Sequence, residues 1–368
     1  MTSDRDNQHV PPSDHTSCHT SWPILLDKLT RQIDLTPAEA FWAMHEMIRG
    51  TATSAHISAF LIGLRIKGET PQEIRGLVQA LYEDATTIDV RGDIVDIVGT
   101  GGDRTGAANI STMASIVVAS TGRTVVKHGG RGSSSSCGSA DVLEALGIDL
   151  ELPPMRVGQI AEEVGITFCF APQFHSGLRH VAPTRRALGI PTIINTLAPL
   201  INPARPMRQL VGVADPRMLT VIADVLADRG CSAVVARGDD GLDKISVTTT
   251  SQVLLVRDGS YERYSLDPRK LNIKLADPTD LRGGGTAQDN ALMVRRVLAG
   301  ERGALRDIVL LNAAAALVAS SQAVVPLLDQ LAEYIAQCEE ALDSGAAIAK
   351  LERWITATQA SASTESAD

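Results

Sequence analysis

The segment Asp96–Thr112 (DIVGTGGDRTGAANIST) constrains this chain most, because a β-branched apolar run breaks into glycines and then into small polar residues. The run 93–98 predicts a buried strand, and 109–122 predicts a helix that ends at a glycine. Glycines at such a junction let backbone N–H groups approach a ligand, and the N-terminus of a helix favours negative charge. The segment therefore predicts an anion-binding loop, although glycines also occur at strand ends that bind nothing.

Two common nucleotide-binding patterns do not fit this loop. The dinucleotide pattern G-x-G-x-x-G requires a glycine five residues after Gly99, where the chain has Arg104. The Gly-Lys-Ser/Thr triplet of the phosphate loop does not occur in the chain. The loop therefore does not indicate a nucleotide cofactor.

Length and composition limit the possible classes of protein. A chain of 368 residues can form two domains, and 44% hydrophobic but only 3% aromatic residues indicate a core of Ala, Val, Leu and Ile. A net charge of −9 disfavours non-specific binding to nucleic acid or to an anionic membrane. No apolar run approaches the roughly 20 residues that a membrane span needs.

The cysteines and the chain ends carry little sign of a disulfide framework or a metal site. Five cysteines without C-x-x-C spacing fit a reducing cytosol, so we expect a cytoplasmic protein. Residues 1–21 are polar and resemble neither a signal nor a transit peptide, and residues 358–368 are also polar, so both predict disordered tails. The spacing of the potential ligands in the first tail disfavours a metal site there: His9, His15, Cys18 and His19.

Residues 22–90 predict a small all-helical domain of about four helices. Thr36-Pro37-Ala38-Glu39 and Thr70-Pro71-Gln72-Glu73 both have the pattern of a capping box, and Gly50 and Gly68 follow two of the predicted helices.

Residues 91–357 alternate strand-like and helical runs, which predicts a larger α/β domain with a central, mostly parallel sheet. The predicted strands include five short runs: 94–98, 124–126, 192–194, 209–213 and 233–235. The proline-rich segment 173–208 interrupts this alternation, and we expect it to return to the helical domain. Late helices are predicted at 287–299, 304–320 and 325–344.

A second glycine loop follows in VVKHGGRGSSSSCGSADVLEALG, from Val125 to Gly147. It again runs from strand to Gly/Ser loop to helix, and a right-handed crossover brings both loops to the same edge of the sheet. Lys127 and Arg131 are expected to bring positive charge to that edge. Two such loops indicate a ligand with several phosphates, although the serine run 133–136 is also compatible with a flexible solvated loop.

Seven motifs together resemble the anthranilate phosphoribosyltransferases, in order from about residue 22 to 356: GTGGD, NIST, KHGGR, GSADVLEALG, FAPQFHSGLRHVAPTRRALGIPT, NPARP and DDGLDKI. The resemblance implies the fold of type III phosphoribosyltransferases, shared with class II nucleoside phosphorylases. It further implies transfer of 5-phosphoribosyl from phosphoribosyl diphosphate to anthranilate, with release of pyrophosphate, in tryptophan biosynthesis. Mg²⁺ and a homodimer are expected on the same grounds.

The resemblance also implies site residues. Phosphoribosyl diphosphate is expected at Gly99, Gly102, Asp103, Asn109, Ser111, Thr112, Lys127, Ser135 and Ser139. The acceptor is expected at Gly99, Gly130 and Arg185, where Arg185 would meet its carboxylate. Magnesium is expected at Ser111 and Asp243.

The chemistry agrees with this assignment and needs no nucleophilic side chain. Displacement at an anomeric carbon develops charge on the departing diphosphate, so N–H groups, Lys127 and Mg²⁺ would stabilise the transition state. An aromatic amine needs little activation to act as the nucleophile, so the protein has mainly to position it. His128 is interpreted as structural in preference to a proton carrier.

Several residues depart from the family pattern at ligand positions. Gly130 replaces the asparagine of the usual KHGNR, and Lys244 replaces the glutamate of a metal-binding Asp-Glu pair. Four further departures are Arg104, Ala107, Ala198 and Arg237. Lys244 either points to solvent or brings its ammonium to the diphosphate, and we favour the second arrangement.

These departures leave alternatives to anthranilate transfer. A relative could use another aromatic acceptor in secondary metabolism, act as a nucleoside phosphorylase, or bind phosphoribosyl diphosphate without catalysis. The sequence favours the anthranilate enzyme because the donor motifs survive.

Overall fold

The computed structural model describes residues 20–132 and 137–365. The described chain forms a helical unit and an α/β unit. Most of the predicted first tail, and with it the four potential ligands named above, lies outside the described residues. None of the described helices is long and apolar enough to cross a membrane.

Four helices form the first unit: α1 (Trp22–Thr30), α2 (Pro37–Ile48), α3 (Ser54–Lys67) and α4 (Pro71–Asp84). Both predicted capping boxes are present, because Thr36 and Thr70 each exchange hydrogen bonds with the glutamate three residues later. Glu73 also accepts from the backbone N–H of Leu35 (2.9 Å) and pairs with Lys67 (3.0 Å), so this cap ties α4 to the preceding helices.

A seven-stranded sheet forms the centre of the second unit, in the order β3-β2-β1-β4-β5-β6-β7. The strands are β1 (Ile94–Gly99), β2 (Thr124–Gly129), β3 (Ile166–Phe170), β4 (Arg208–Gly212), β5 (Ser232–Gly238), β6 (Ser251–Arg257) and β7 (Ser260–Leu266). The first five pair in parallel, and β6 and β7 are antiparallel. The expected mostly parallel sheet is confirmed.

Eleven helices follow along the described chain: α5 (Ile110–Ser120), α6 (Ser139–Leu146), α7 (Pro154–Val164), α8 (Ala171–Phe174), α9 (Ala182–Leu188), α10 (Ile193–Leu197), α11 (Met218–Asp228), α12 (Ala287–Leu298), α13 (Ala304–Ala319), α14 (Leu327–Asp343) and α15 (Ala346–Glu365).

Both faces of the sheet are buried, as parallel sheets require. Along β1, Ile97 belongs to a core formed with α5, α13 and α15, whereas its neighbour Val98 belongs to a core formed with α11 and the helical unit. Leu210 and Val211 of β4 divide between the two cores in the same way, as the two-residue period of a strand dictates.

The proline-rich segment contributes to the core of the helical unit. Val181, Ile193 and Leu197 are buried in the same cluster as Phe60 and Leu64 of α3. The segment therefore passes between the helical unit and the carboxyl edge of the sheet.

Two predictions from sequence are wrong. The predicted strand 192–194 is the start of α10, because Thr192 acts as its N-cap and its backbone N–H donates to Asn195 Oδ1 (3.1 Å). The predicted second tail begins too early, because α15 continues to Glu365 and Thr358 is buried, with its hydroxyl accepting from Asp149 N (3.3 Å). The remaining residues, 366–368, lie outside the described part.

Candidate active site

The loops after β1 and β2 and the first turns of α5 and α6 border one crevice at the carboxyl edge of the sheet. The crevice contains a cavity of about 330 Å³, which the loop after β5 and the proline-rich segment also line. Ligands of open α/β sheets bind at this edge, so the fold places the cavity where chemistry is expected.

Three hydrogen bonds anchor the loop after β1. Thr100 N donates to Gly212 O (2.9 Å), and Thr100 Oγ1 accepts from Ala214 N (3.1 Å), which ties the loop to the end of β4. Gly101 N donates to Asp243 Oδ2 (2.8 Å). The loop is therefore held in place before any ligand arrives.

Gly99 has to be a glycine because of Asp243. A Cβ atom at Gly99 would lie 2.2 Å from Asp243 Oδ2, well inside contact distance. The carboxylate thus packs directly against the last backbone unit of β1.

The same loop needs left-handed backbone at several positions. Gly101 and Gly102 have φ of 65° and 83°, which glycine adopts without strain. Arg104 has φ of 55°, a conformation that non-glycine residues rarely adopt. The arginine that departs from the family pattern therefore keeps a backbone shape suited to glycine.

The start of α5 presents polar atoms without partners. Asn109 donates through Nδ2 to Cys137 O (3.2 Å), but its Oδ1 is buried and has no hydrogen-bond partner. Thr112 Oγ1 is buried and unpartnered too, although Thr112 does not line the cavity. Buried polar atoms are normally satisfied, so a ligand or water is expected beside Asn109.

Lys127 lies beneath the first loop. Its ammonium donates to Ile97 O (2.5 Å) and to Ser111 Oγ (3.3 Å), so it joins β1, β2 and α5. Burial lowers the pKa of Lys127 to about 8, although the carboxylate of Asp96 opposes this shift. The group carries a positive charge at neutral pH and lines the cavity.

The second loop is described only in part. Ser135 lies outside the described residues, whereas Ser139 and Gly130 both line the cavity. Gly130 O accepts from Ala140 N (3.2 Å), which fixes the loop to the first turn of α6. A Cβ atom at Gly130 would meet only Ala171, at 4.0 Å, so this position has room for a side chain.

Arg131 does not bring free charge to the crevice as expected. Its guanidinium pairs with Asp141 (3.1 Å) and Glu144 (2.8 Å) of α6 and lies over the ring of Phe170. The two carboxylates neutralise it, so its main effect is to hold the loop against α6.

His128 is buried and neutral. Its Nδ1 bonds to Ala198 O (3.0 Å), so Nδ1 carries the hydrogen, and Nε2 has no partner. Burial, with nearby His175, lowers the pKa of His128 to about 3. With so low a pKa the ring stays neutral and is a poor proton acceptor at neutral pH, which supports the structural interpretation.

Arg185 of α9 enters the cavity from the side of the helical unit. Its Nη2 donates to Asn195 Oδ1 (3.2 Å), and burial lowers its pKa. No carboxylate of the described residues pairs with it. A buried guanidinium without an acid is suited to bind a carboxylate of a ligand.

Sequence reasoning missed six further residues that line the cavity. They are Cys137, Ala171, Leu178, Ile194, Asn195 and Ile201. Their only sequence signal was the spacing of Thr192 and Asn195, which resembles a helix cap and was obscured by the β-branched run 192–194.

Lys244 lies between two carboxylates at the edge of the cavity. Its ammonium pairs with Asp243 Oδ1 and lies 3.9 Å from Asp103 Oδ2. Burial alone would lower the pKa of Lys244, but the two carboxylates raise it above its ordinary value. Burial alone would raise the pKa of Asp103, and Lys244 together with hydrogen bonds lowers it.

This arrangement does not suit a metal ion held by Asp243. One carboxylate oxygen of Asp243 meets the ammonium and the other meets Gly101 N, so neither is free. In the described ranges, no three His, Cys, Asp or Glu side chains are grouped to hold a metal. Ser111 Oγ accepts one hydrogen bond, from Lys127 (3.3 Å), and its second lone pair suits a magnesium ion whose other ligands come from a substrate.

Comparisons with known proteins agree on one family. The helical bundle domain of a glycosyl transferase family matches residues 23–85, and the a/b domain of a glycosyl transferase family matches residues 91–348. The chain is 53% identical over 340 residues to the anthranilate phosphoribosyltransferase of Streptomyces griseus, which covers 92% of this chain and 96% of that relative. The corresponding protein of Acidothermus cellulolyticus is 51% identical, and the match covers 92% of this chain and 96% of that relative.

Solved structures agree with these matches. The crystal structure of anthranilate phosphoribosyltransferase from Thermus thermophilus superposes with a TM-score of 0.84 at 38% identity and covers 91% of this chain and 99% of its own. The enzyme of Saccharomyces cerevisiae in complex with PRPP and Mg has a TM-score of 0.82 at 25% identity. This match covers 92% of this chain and 98% of the yeast chain.

Proposed function

This chain belongs to the anthranilate phosphoribosyltransferases of the glycosyl transferase family, and we propose that the crevice described above carries out their reaction. It transfers 5-phosphoribosyl from phosphoribosyl diphosphate to the amine of anthranilate and releases pyrophosphate. The observation that carries the proposed site is the convergence of two glycine loops, a buried lysine and an unpartnered amide oxygen on one cavity.

We assign the donor to the side of the crevice formed by β1 and α5. The backbone of Gly99, Gly102 and Asp103 would face the ribose and diphosphate, and the start of α5 favours their negative charge. Lys127 and Ser111 would face the phosphates from below. Ser139 at the start of α6 would complete this site.

The transfer requires one bond to form and one to break at the anomeric carbon. The lone pair of the amine forms the new C–N bond, the C–O bond to the diphosphate breaks, and its electron pair leaves with pyrophosphate. The amine then loses a proton to solvent. A fixed positive charge at Lys127 stabilises the charge that grows on the leaving group.

No side chain of this chain needs to act as nucleophile or base. Anthranilate is an aromatic amine, so its nitrogen is a free nucleophile at neutral pH, and correct placement supplies much of the rate. Neutral His128, with its Nδ1 hydrogen bonded to Ala198, would orient the β2 loop and would not exchange a proton.

The acceptor would lie against Arg185, Gly130 and the last residue of β1, Gly99. The guanidinium of Arg185 would pair with the acceptor carboxylate, and Asn195 would orient that guanidinium. Gly130 has no side chain, and the space beside it is open, so the acceptor receives no hydrogen bond from a side-chain amide on that side.

Magnesium would supply charge neutralisation on the diphosphate, with Ser111 as its protein ligand. The yeast relative was solved with Mg, and the hydroxyl at the cavity edge of this chain is compatible with that role. Asp243 is not suited to a second ion, because Lys244 occupies it.

A homodimer formed through the helical unit and a cytoplasmic location are also proposed. Ile24 and Ile66 of the helical unit are 41% and 71% exposed, which suits a subunit contact. Cys169, Cys231 and Cys338 are buried free thiols, as expected in a reducing compartment. Light scattering after size exclusion would test the dimer.

The activity test is pyrophosphate release. Purified protein with phosphoribosyl diphosphate, anthranilate and Mg²⁺ should release pyrophosphate in step with loss of anthranilate. Lys127→Met should abolish most of this release. Release with a larger aromatic acid but not with anthranilate would indicate another acceptor, and phosphate-dependent cleavage of a nucleoside would indicate a phosphorylase.

A further inference from the structure

The side chain of Lys244 lines the cavity that we assign to the donor, and its ammonium contacts Asp243 and Asp103 there. Its side chain is 16% exposed, as is that of Asp103, and the side chain of Asp243 is 4% exposed. All three line the cavity that contains Lys127 and the first glycine loop. They form a partly dry cluster of two negative charges and one positive charge.

Contacts on both sides fix the base of this cluster. A Cβ atom at Gly212 would lie 1.6 Å from Asp243 O, so the backbone of Asp243 passes directly over the end of β4. Its carboxylate packs in the same way against Gly99, at the end of β1. Lys244 therefore starts from a backbone position that both strands define, and its ammonium is held by carboxylates at its tip.

The cluster is incompatible with a second cation. A divalent ion at Asp243 would have to replace the ammonium that bonds to Oδ1, and it would repel that ammonium at short distance in a site with little water. The ammonium already offsets one of the two carboxylate charges, which reduces the electrostatic need that a metal would serve.

We propose that Lys244 is a built-in substitute for a protein-bound metal ion: it excludes a divalent cation from Asp243 and binds the diphosphate of the donor directly. The proposal rests on the proposed function and specifies which positive charges bind the diphosphate in that donor site. Lysine is a common ligand of phosphate groups and acts there as a point charge. The chain would then bind a single divalent ion, which arrives on the diphosphate.

Counting bound Mn²⁺ tests the proposal without any acceptor. Equilibrium dialysis of the full chain with saturating phosphoribosyl diphosphate should give one protein-bound Mn²⁺ per chain, and dialysis without it should give none. Lys244→Glu should add one ion in each condition. Lys274→Glu, which makes the same change at an exposed lysine away from the cavity, should leave both counts unchanged.

A second variant separates charge from metal exclusion. Lys244→Met keeps the length and apolar stem and removes the ammonium. The KM for phosphoribosyl diphosphate should rise about tenfold or more, as for loss of a charged hydrogen bond, while the KM for anthranilate stays within about twofold. Circular dichroism and thermal melting of each variant establish that it is folded before the counts are compared.

Two results would overturn the proposal: two Mn²⁺ per wild-type chain, or an unchanged KM for phosphoribosyl diphosphate in Lys244→Met. Failure of the proposed function would give a different set of results. If wild-type protein binds one Mn²⁺ with phosphoribosyl diphosphate but releases no pyrophosphate with anthranilate, the transfer is refuted and the role of Lys244 stands.

Discussion

Asn202 donates both hydrogens of its side-chain amide beneath the crevice, one to Asp96 Oδ2 (2.9 Å) and one to Val126 O (2.8 Å). The other oxygen of Asp96 accepts from His128 N (3.3 Å). This asparagine of the proline-rich segment thus joins β1 to β2 beneath the crevice. Because Asp96 is fully buried, its ionisation is coupled to the stability of the site.

Burial raises the pKa of Asp96 from 3.8 to about 6, against the attraction of Lys127. A folded pKa above the unfolded value means that the folded state holds the proton more tightly, so this stabilisation is present below about pH 4 and is lost as the pH rises through about 6. We therefore expect wild-type protein to lose about 2 kcal/mol relative to Asp96→Asn between pH 4 and pH 7.

Urea unfolding of both proteins across this pH range measures the difference. Asp93→Asn, at an exposed position three residues earlier, controls for the general effect of losing a carboxylate. Parallel stability curves for wild type and Asp96→Asn would contradict the prediction.

The second prediction concerns Arg185, whose guanidinium faces the cavity without an acid partner in the described chain. Arg185→Ala should raise the KM for anthranilate about ten- to a hundredfold, as for loss of a charged hydrogen bond, and change the KM for phosphoribosyl diphosphate much less. Arg186→Ala removes the exposed neighbouring guanidinium and should change neither value. Equal effects of Arg185→Ala on both substrates would exclude it from the acceptor site.

The parts of the fold that the sequence predicted depend on local chemistry. Thr36 and Thr70 begin their helices through bonds to residues three positions away, so the sequence pattern contains the whole interaction. Strands β1 and β2 are apolar runs bounded by glycines and were predicted for the same reason. Strand β7 is mostly exposed and carries charged residues, so its sequence lacks that apolar signal.

The parts that the sequence did not predict depend on contacts between distant residues. Residues 192–194 have the composition of a strand, but burial among helices of the first unit and the bond that Thr192 N donates to Asn195 make them the start of a helix. The pairing of Arg131 with Glu144 likewise removes a charge that composition alone assigns to the crevice. Lys244 pairs with its neighbour Asp243, but its approach to Asp103, 141 residues away, is contained in no local pattern.

Gly130 gives the third prediction, because the structure leaves space where the family pattern has an asparagine. Its Cβ atom would contact only Ala171, at 4.0 Å, and its backbone is not left-handed. Gly130→Asn should lower the KM for anthranilate about two- to tenfold, the value of one hydrogen bond. Gly130→Ala fills the same space without an amide and should leave that KM unchanged. A loss of anthranilate turnover in Gly130→Asn would mean that the acceptor itself needs the space.

Gly99 gives the fourth prediction, because it differs from Gly130 in what surrounds it. A methyl group at Gly99 would lie 2.2 Å from Asp243 Oδ2, whereas the one at Gly130 enters open space. Gly99→Ala must therefore push the Asp243 carboxylate away from Gly101 N and Lys244, or shift the end of β1. Overpacking of this kind costs about 1–3 kcal/mol of folding free energy, which denaturant unfolding would measure.

Since the groups displaced in Gly99→Ala border the donor site, kcat/KM for phosphoribosyl diphosphate should fall about tenfold or more, while Gly130→Ala keeps it within about twofold. Wild-type stability and donor kinetics in Gly99→Ala would show that the loop adapts freely, and the fixed position of Asp243 would then have no part in binding the donor.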